Sequence, residues 1–313
     1  MLAAVLALAA GAVLLAVAAD QFVVGAARLA AALRVPVLVI GVVLVGFGTS
    51  LPEALVSGLA AARGEMAVSL GNVVGSNVAN LSLLLGVGAL IFPIAVRSSV
   101  VSREWPLTLA SAVLLAVVAA GSLSRIEGFV LLGAMGAVVA WIVAAGRARS
   151  GDPLAADVGE FVGEAPRPVR ESIRTVLGLA GTLAGSQALL WGALEIAEEL
   201  SLASGFVGAT LVAIGTSLPE LVTVLQSARR REPDLIVGNL LGSNMFNALA
   251  VTGVAAVIGD APVDDRSLTF DATLAGIGLT ALVGVFLVTG RRVSRAEGAV
   301  LVAVYAGFVV WLG

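Results

Sequence analysis

The chain has 313 residues, of which 59% are hydrophobic and 12% charged, with a mean hydropathy of +1.06 and a formal net charge of −3. That balance excludes an ordinary soluble domain and places the chain in a bilayer, and nothing in its charge calls for a nucleic-acid partner. It contains no Cys and no His, which excludes disulfides, thiolate or imidazole metal sites and histidine-based catalysis, so any cation chemistry must use oxygen.

A hydrocarbon core of about 30 Å takes roughly 20 apolar residues per helix. Charged and Pro/Gly punctuation cuts the chain into stretches of that kind, beginning with 2–32, which lacks a basic leader and reads as a span rather than a signal peptide. The second, 35–62, carries Gly48-Thr49-Ser50-Leu51-Pro52-Glu53, and the third, 67–94, carries Gly71-Asn72-Val73-Val74-Gly75-Ser76-Asn77-Val78-Ala79-Asn80. The fourth is 104–123, and the fifth, 126–146, is preceded by Ser124-Arg125-Ile126-Glu127-Gly128. A polar connection from Arg147 to Arg170 follows, holding Arg, Asp, Glu and three prolines. Then come 172–201, 205–228, 234–259, 267–289 and 294–312. The expected organisation is a first five-helix repeat over 1–146, a linker over 147–171 and a second five-helix repeat over 172–313.

The second half repeats the first. Gly215-Thr216-Ser217-Leu218-Pro219-Glu220 lies 167 positions after Gly48–Glu53, and Gly238-Asn239-Leu240-Leu241-Gly242-Ser243-Asn244-Met245-Phe246-Asn247 keeps that offset. Ser294-Arg295-Ala296-Glu297-Gly298 echoes Ser124–Gly128 at an offset of 170. Three blocks in the same order are not chance. Five spans per repeat make the second copy enter from the opposite side, so the predicted fold is an all-α membrane protein of ten transmembrane helices in two inverted repeats. With the N-terminus outside, 15 of the 18 Arg fall on cytoplasmic flanks and only Arg63, Arg125 and Arg266 outside. Short loops that collect Arg are cytoplasmic, so both termini are expected outside a cell membrane and the central loop inside.

Glu53 and Glu220 lie inside apolar runs, where a charge costs roughly 2.5–3.5 kcal/mol on insertion scales. No Arg falls in the middle of a span to pair with them. Pro52 and Pro219 have no N–H and clash with the carbonyls of Gly48 and Gly215, so both helices should break there and leave backbone oxygen free. Thr49, Ser50, Thr216 and Ser217 put hydroxyls beside the carboxylates. Ser76 and Asn80 share a helix face, as do Ser243 and Asn247, while Gly71, Gly75, Gly238 and Gly242 permit close helix contact. The donor set is all oxygen and suits a hard cation such as Ca2+, which takes about 6–8 oxygens in flexible geometry. Two carboxylates neutralise one Ca2+ or two Na+.

The paired GTSLPE and GN-x-x-GSN-x-x-N blocks resemble the sodium/calcium exchanger family, in particular its compact prokaryotic members, over essentially the full chain. The resemblance implies Na+-for-Ca2+ antiport by a monomer, with no cofactor beyond the transported ions and no enzymatic activity. It further implies that Glu53 and Glu220 are shared ligands and that Thr49, Ser50, Thr216, Ser217, Ser76 and Ser243 coordinate. Gly46 and Ala213 would offer carbonyls, and long first and sixth helices would slide across the core. Many relatives carry an Asp at one of the two positions that are Asn80 and Asn247 here, which leaves the core with at most two negative charges. Proton-coupled Ca2+ antiport and a passive cation channel are the alternative expectations.

Overall fold

The computed structural model describes residues 1–33, 48–95, 98–121, 123–147, 167–231 and 233–313. The start of the predicted second span, including Gly46, lies outside these residues, as does 148–166 of the central connection. The first described half holds α1 (Leu2–Ala32), α2 (Leu51–Ala62), α3 (Met66–Ile91), α4 (Ser98–Ala119) and α5 (Arg125–Arg147). The second holds α6 (Pro168–Leu200), α7 (Ser204–Thr216), α8 (Leu218–Arg230), α9 (Pro233–Gly259), α10 (Ser267–Thr289) and α11 (Arg295–Leu312). Among the described residues six helices are long and apolar enough to cross a membrane, and α7 with α8 makes a seventh span bent by 48°. The protein is a helical, multi-pass membrane protein.

Several boundaries differ from the sequence expectation by a few residues, and two are instructive. Helix α6 begins at Pro168 rather than 172, because proline at the first helical position has its φ preset and gives up only an N–H that would be unpaired there. Helix α4 begins at Ser98 rather than 104, so the charged pair Arg103 and Glu104 lies inside a helix and does not end one.

Helices α3 and α9 form the centre. An 18-residue window of α3 is 72% buried and one of α9 67%, against 22% for α11 at the periphery. Small residues let the backbones meet: a methyl group added to Gly75 would lie 2.3 Å from the Ala209 carbonyl oxygen in α7, and one on Gly71 2.5 Å from that of Gly205. The third sequence echo acquires a structural meaning. Ser124 with Glu127, and Ser294 with Glu297, close capping boxes at the starts of α5 and α11. Gly128 then touches Gly253 in α9, and Gly298 touches Gly86 in α3.

Helices α1 and α6 run antiparallel, with Gly11 against Leu189 and Gly178 against Phe22. One end of the pair is joined by the Met1 amino group and Glu199, the other by Arg174 donating to Gln21 at 2.9 Å. A separate apolar cluster that includes Ala12, Leu15, Val56, Val68, Leu189 and Val212 packs this pair against α2, α3 and α7. The ends of the bundle are tied in matching ways. A two-residue ribbon pairs Ile94 with Val293, and Arg295 donates to the Ile91 carbonyl, while Arg125 and Asp260 form an ion pair elsewhere.

Candidate cation site

The site forms where α2 and α8 begin. Ser50 and Ser217 are the residues before the first turn, with φ/ψ of −86°/10° and −82°/12°, so the two copies take the same break. Proline follows two positions later in each, where its missing N–H costs no helical bond. The Gly48 carbonyl, denied an amide by Pro52, accepts the Leu51 N–H at 3.3 Å. Glu53 and Glu220 thus fall in the first turn of their helices, where the positive end of the helix dipole favours a carboxylate.

A serine at such a position ordinarily caps its own helix. Here neither does. Ser217 Oγ donates to Glu53 Oε1 at 3.0 Å, and Ser50 Oγ donates to Glu220 Oε1 at 3.3 Å, so each half serves the carboxylate of the other. The lacing continues in register. Thr216 donates to Asn72 Oδ1 at 3.0 Å and lies 3.4 Å from Ser76 Oγ, while Thr49 donates to Asn239 Oδ1 at 3.4 Å and lies 3.3 Å from Ser243 Oγ. Ser243 also reaches Glu220 Oε1 at 3.5 Å. The Ala213 carbonyl accepts both the Ser217 N–H and the Thr216 hydroxyl. Gly46 lies outside the described residues.

Asn80 and Asn247 each open a π-turn, at Asn80–Leu84 and Asn247–Val251, a local widening of the helix common at functional sites. Their partners are not alike. Asn80 Nδ2 donates to Asn244 Oδ1 at 2.9 Å, and Asn244 in turn donates to the Asn77 carbonyl at 2.8 Å. Asn247 has no side-chain hydrogen bond among the described residues. The sequence reading placed Asn72, Asn239, Asn77 and Asn244 in the repeated blocks without nominating them. Asn72 lies one helical turn before Ser76 and on its face, so the signal was present.

Most of the unpartnered buried atoms on the repeated blocks are acceptors, with Asn239 Nδ2 and Asn247 Nδ2 the unpartnered donors among the described residues. Glu53 Oε2, Glu220 Oε2, Asn77 Oδ1, Asn80 Oδ1 and Asn247 Oδ1 are buried without a hydrogen-bond donor among the described residues. Buried oxygens left that way are costly, and a cation satisfies several at once. Among the described residues no group of three or more Asp, Glu, His or Cys side chains forms. The fixed charge of the gathered donors therefore comes from two carboxylates.

A family model described as sodium/calcium exchanger protein matches residues 3–144 and 173–313, once in each half. The chain is 38% identical to a putative antiporter, CaxA, of Alkalimonas amylolytica, with 98% of each chain covered. It is 32% identical to the sodium/calcium exchanger MaX1 of Methanosarcina acetivorans, over 96% of each. Among solved structures it resembles the sodium-calcium exchanger NCX_Mj with a TM-score of 0.69 at 29% identity, over 100% of this chain and 99% of that one.

Proposed function

The chain belongs to the sodium/calcium exchanger family, and from that premise we propose that it is a secondary antiporter that exchanges Na+ for Ca2+ by alternating access. Cation antiport follows from the family; the pairing with sodium is carried over from relatives such as MaX1, which is named for both ions. The observation that carries the reading is the exchange of hydroxyls between halves, Ser217 on Glu53 and Ser50 on Glu220. It supports reading the two carboxylates as one site. Ca2+ or two Na+ would each neutralise that site, and the empty carrier, with two uncompensated buried charges, would move poorly.

We further propose the complete architecture of ten helices in two inverted repeats, the N-terminus outside and the central loop in the cytoplasm, acting as a monomer. The ribbon between Ile94 and Val293 and the contact of Arg295 with Ile91 join two loops that this topology puts on the cytoplasmic side. The Arg125–Asp260 pair joins two that it puts outside. Glu53, Glu220, the four Thr and Ser of the GTSLPE blocks, Ser76, Ser243, Asn80 and Asn247 are the proposed ligands, with carbonyls from Gly46 and Ala213.

Calcium uptake into sodium-loaded proteoliposomes tests the coupling. Uptake should require the outward sodium gradient and should not be replaced by a pH gradient; uptake driven by protons alone would assign the chain to proton-coupled antiport. Because two carboxylates balance two Na+ against one Ca2+, the exchange is expected to be electroneutral, with a rate insensitive to a clamped membrane potential.

A further inference from the structure

The two halves offer matching donors and differ in what stands behind them. On one side Asn72 Oδ1 accepts from Thr216 at 3.0 Å, while Asn72 Nδ2 donates to Ser57 Oγ at 2.9 Å and to the Glu53 carbonyl at 3.4 Å. Ser57 Oγ donates in turn to the Ser69 carbonyl at 3.3 Å. Every link in this chain has one direction. Ser57 spends its only proton on a carbonyl and can only accept from Asn72, so Asn72 must turn its nitrogen to Ser57 and its oxygen to Thr216. The Thr216 proton is drawn away, to Asn72 Oδ1 or to the Ala213 carbonyl at 3.2 Å, and its lone pairs are left for the site. Ser57, Asn72 and Thr216 have no exposed surface.

On the other side the offset of 167 aligns Thr49 with Thr216 and Asn239 with Asn72, but sets Val224 where Ser57 stands. Val224 is completely buried and offers no polar atom. Asn239 Nδ2 is buried without a hydrogen-bond partner among the described residues. Among the described residues nothing behind this amide fixes which end faces Thr49. Turned over, it would give Thr49 a donor and occupy a hydroxyl lone pair that a cation needs.

We propose that Asn72 and Asn239 are positioning residues that set the proton direction of Thr216 and Thr49, with Ser57 locking the first and Val224 leaving the second unlocked. One hydroxyl of the site is thus preset for a cation, and the other is set only as the cation arrives. The binding cost falls on the Thr49 side. The proposal rests on the reading that these oxygens hold the transported ions.

Equilibrium Ca2+ binding to the purified full chain, measured by calorimetry, tests it without relying on transport. Ser57→Ala removes the lock and should weaken Ca2+ binding about fivefold, the effect of one hydrogen bond. Val224→Thr keeps the volume of valine and supplies the missing hydroxyl, with Ile236 aligned to Ser69 at the same offset of 167; it should tighten binding about fivefold. Ser57→Thr retains the hydroxyl and should stay close to the parent. A merely structural role for these positions would give losses and no gain. Ca2+ binding that is unchanged in both Ser57→Ala and Val224→Thr, or weakened in both, overturns the proposal. Should Val224→Thr fail to fold, Ser57→Ala against Ser57→Thr decides alone, since equal binding by the two sinks it. A parent chain that binds neither Ca2+ nor Na+ removes the cation reading itself, a failure visible before any variant is made.

Discussion

Glu53 and Glu220 carry no exposed surface, and each receives a serine hydroxyl from the other half of the chain. Among the described residues neither is met by an arginine, and in the proposed function their charges are answered by ions that come and go. Under that proposal protons compete with those ions for the same carboxylate oxygens. Calcium uptake is therefore expected to fall as pH drops, because a protonated glutamate is neutral and offers a donor where the cation needs an acceptor; initial rates across the acid range check this, and a flat profile would contradict it. At this scale the sequence was informative where chemistry repeats. A carboxylate after Thr-Ser-Leu-Pro in both halves could be read as a candidate site from letters alone. The direction of each amide could not, because it depends on what stands behind Asn72 and Asn239. The contrast of Ser57 with Val224 lies outside the conspicuous blocks.

Among the helices, the proline of α8 acts as expected, with α7 ending at Thr216 and α8 starting at Leu218, while the described residues just before α2, 48–50, are a turn. The close approach of α3 to α7 at Gly71 and Gly75 agrees with the four-residue glycine spacing. Gly75→Ala is expected to destabilise the protein by about 1–3 kcal/mol, since the added methyl meets backbone that cannot rotate away. Thermal unfolding in detergent measures this, and an unchanged midpoint would mean the two helices separate freely. Most helix boundaries were legible because apolar runs end at charges and turns. The π-turns at Asn80 and Asn247 were not, since no residue type signals the extra residue. Nor was the start of α4, where Arg103 and Glu104 looked like a boundary.

For the molecule as a whole, α1 and α6 lie together along one side and press Ala12 and Leu189 against Gly215, the first residue of the second GTSLPE block. If these helices slide to open the site alternately, joining them to it stops exchange. A Cβ at position 215 would stand 3.6 Å from that of Ala12, within the range of a disulfide, and the native chain has no Cys to interfere. Oxidising the Ala12→Cys/Gly215→Cys variant should arrest transport and reduction should restore it; full activity when oxidised would show that α1 stays fixed to α7. The central claim is that two glutamates, one from each half, form a single site used by both ions. It is tested most directly by Ca2+ binding at rising Na+ in the parent chain and in Glu53→Gln and Glu220→Gln. One Ca2+ should bind per chain and be lost competitively with Na+, and each variant should bind at least about 30-fold more weakly. Ca2+ binding that ignores Na+, or that survives either substitution intact, would contradict it.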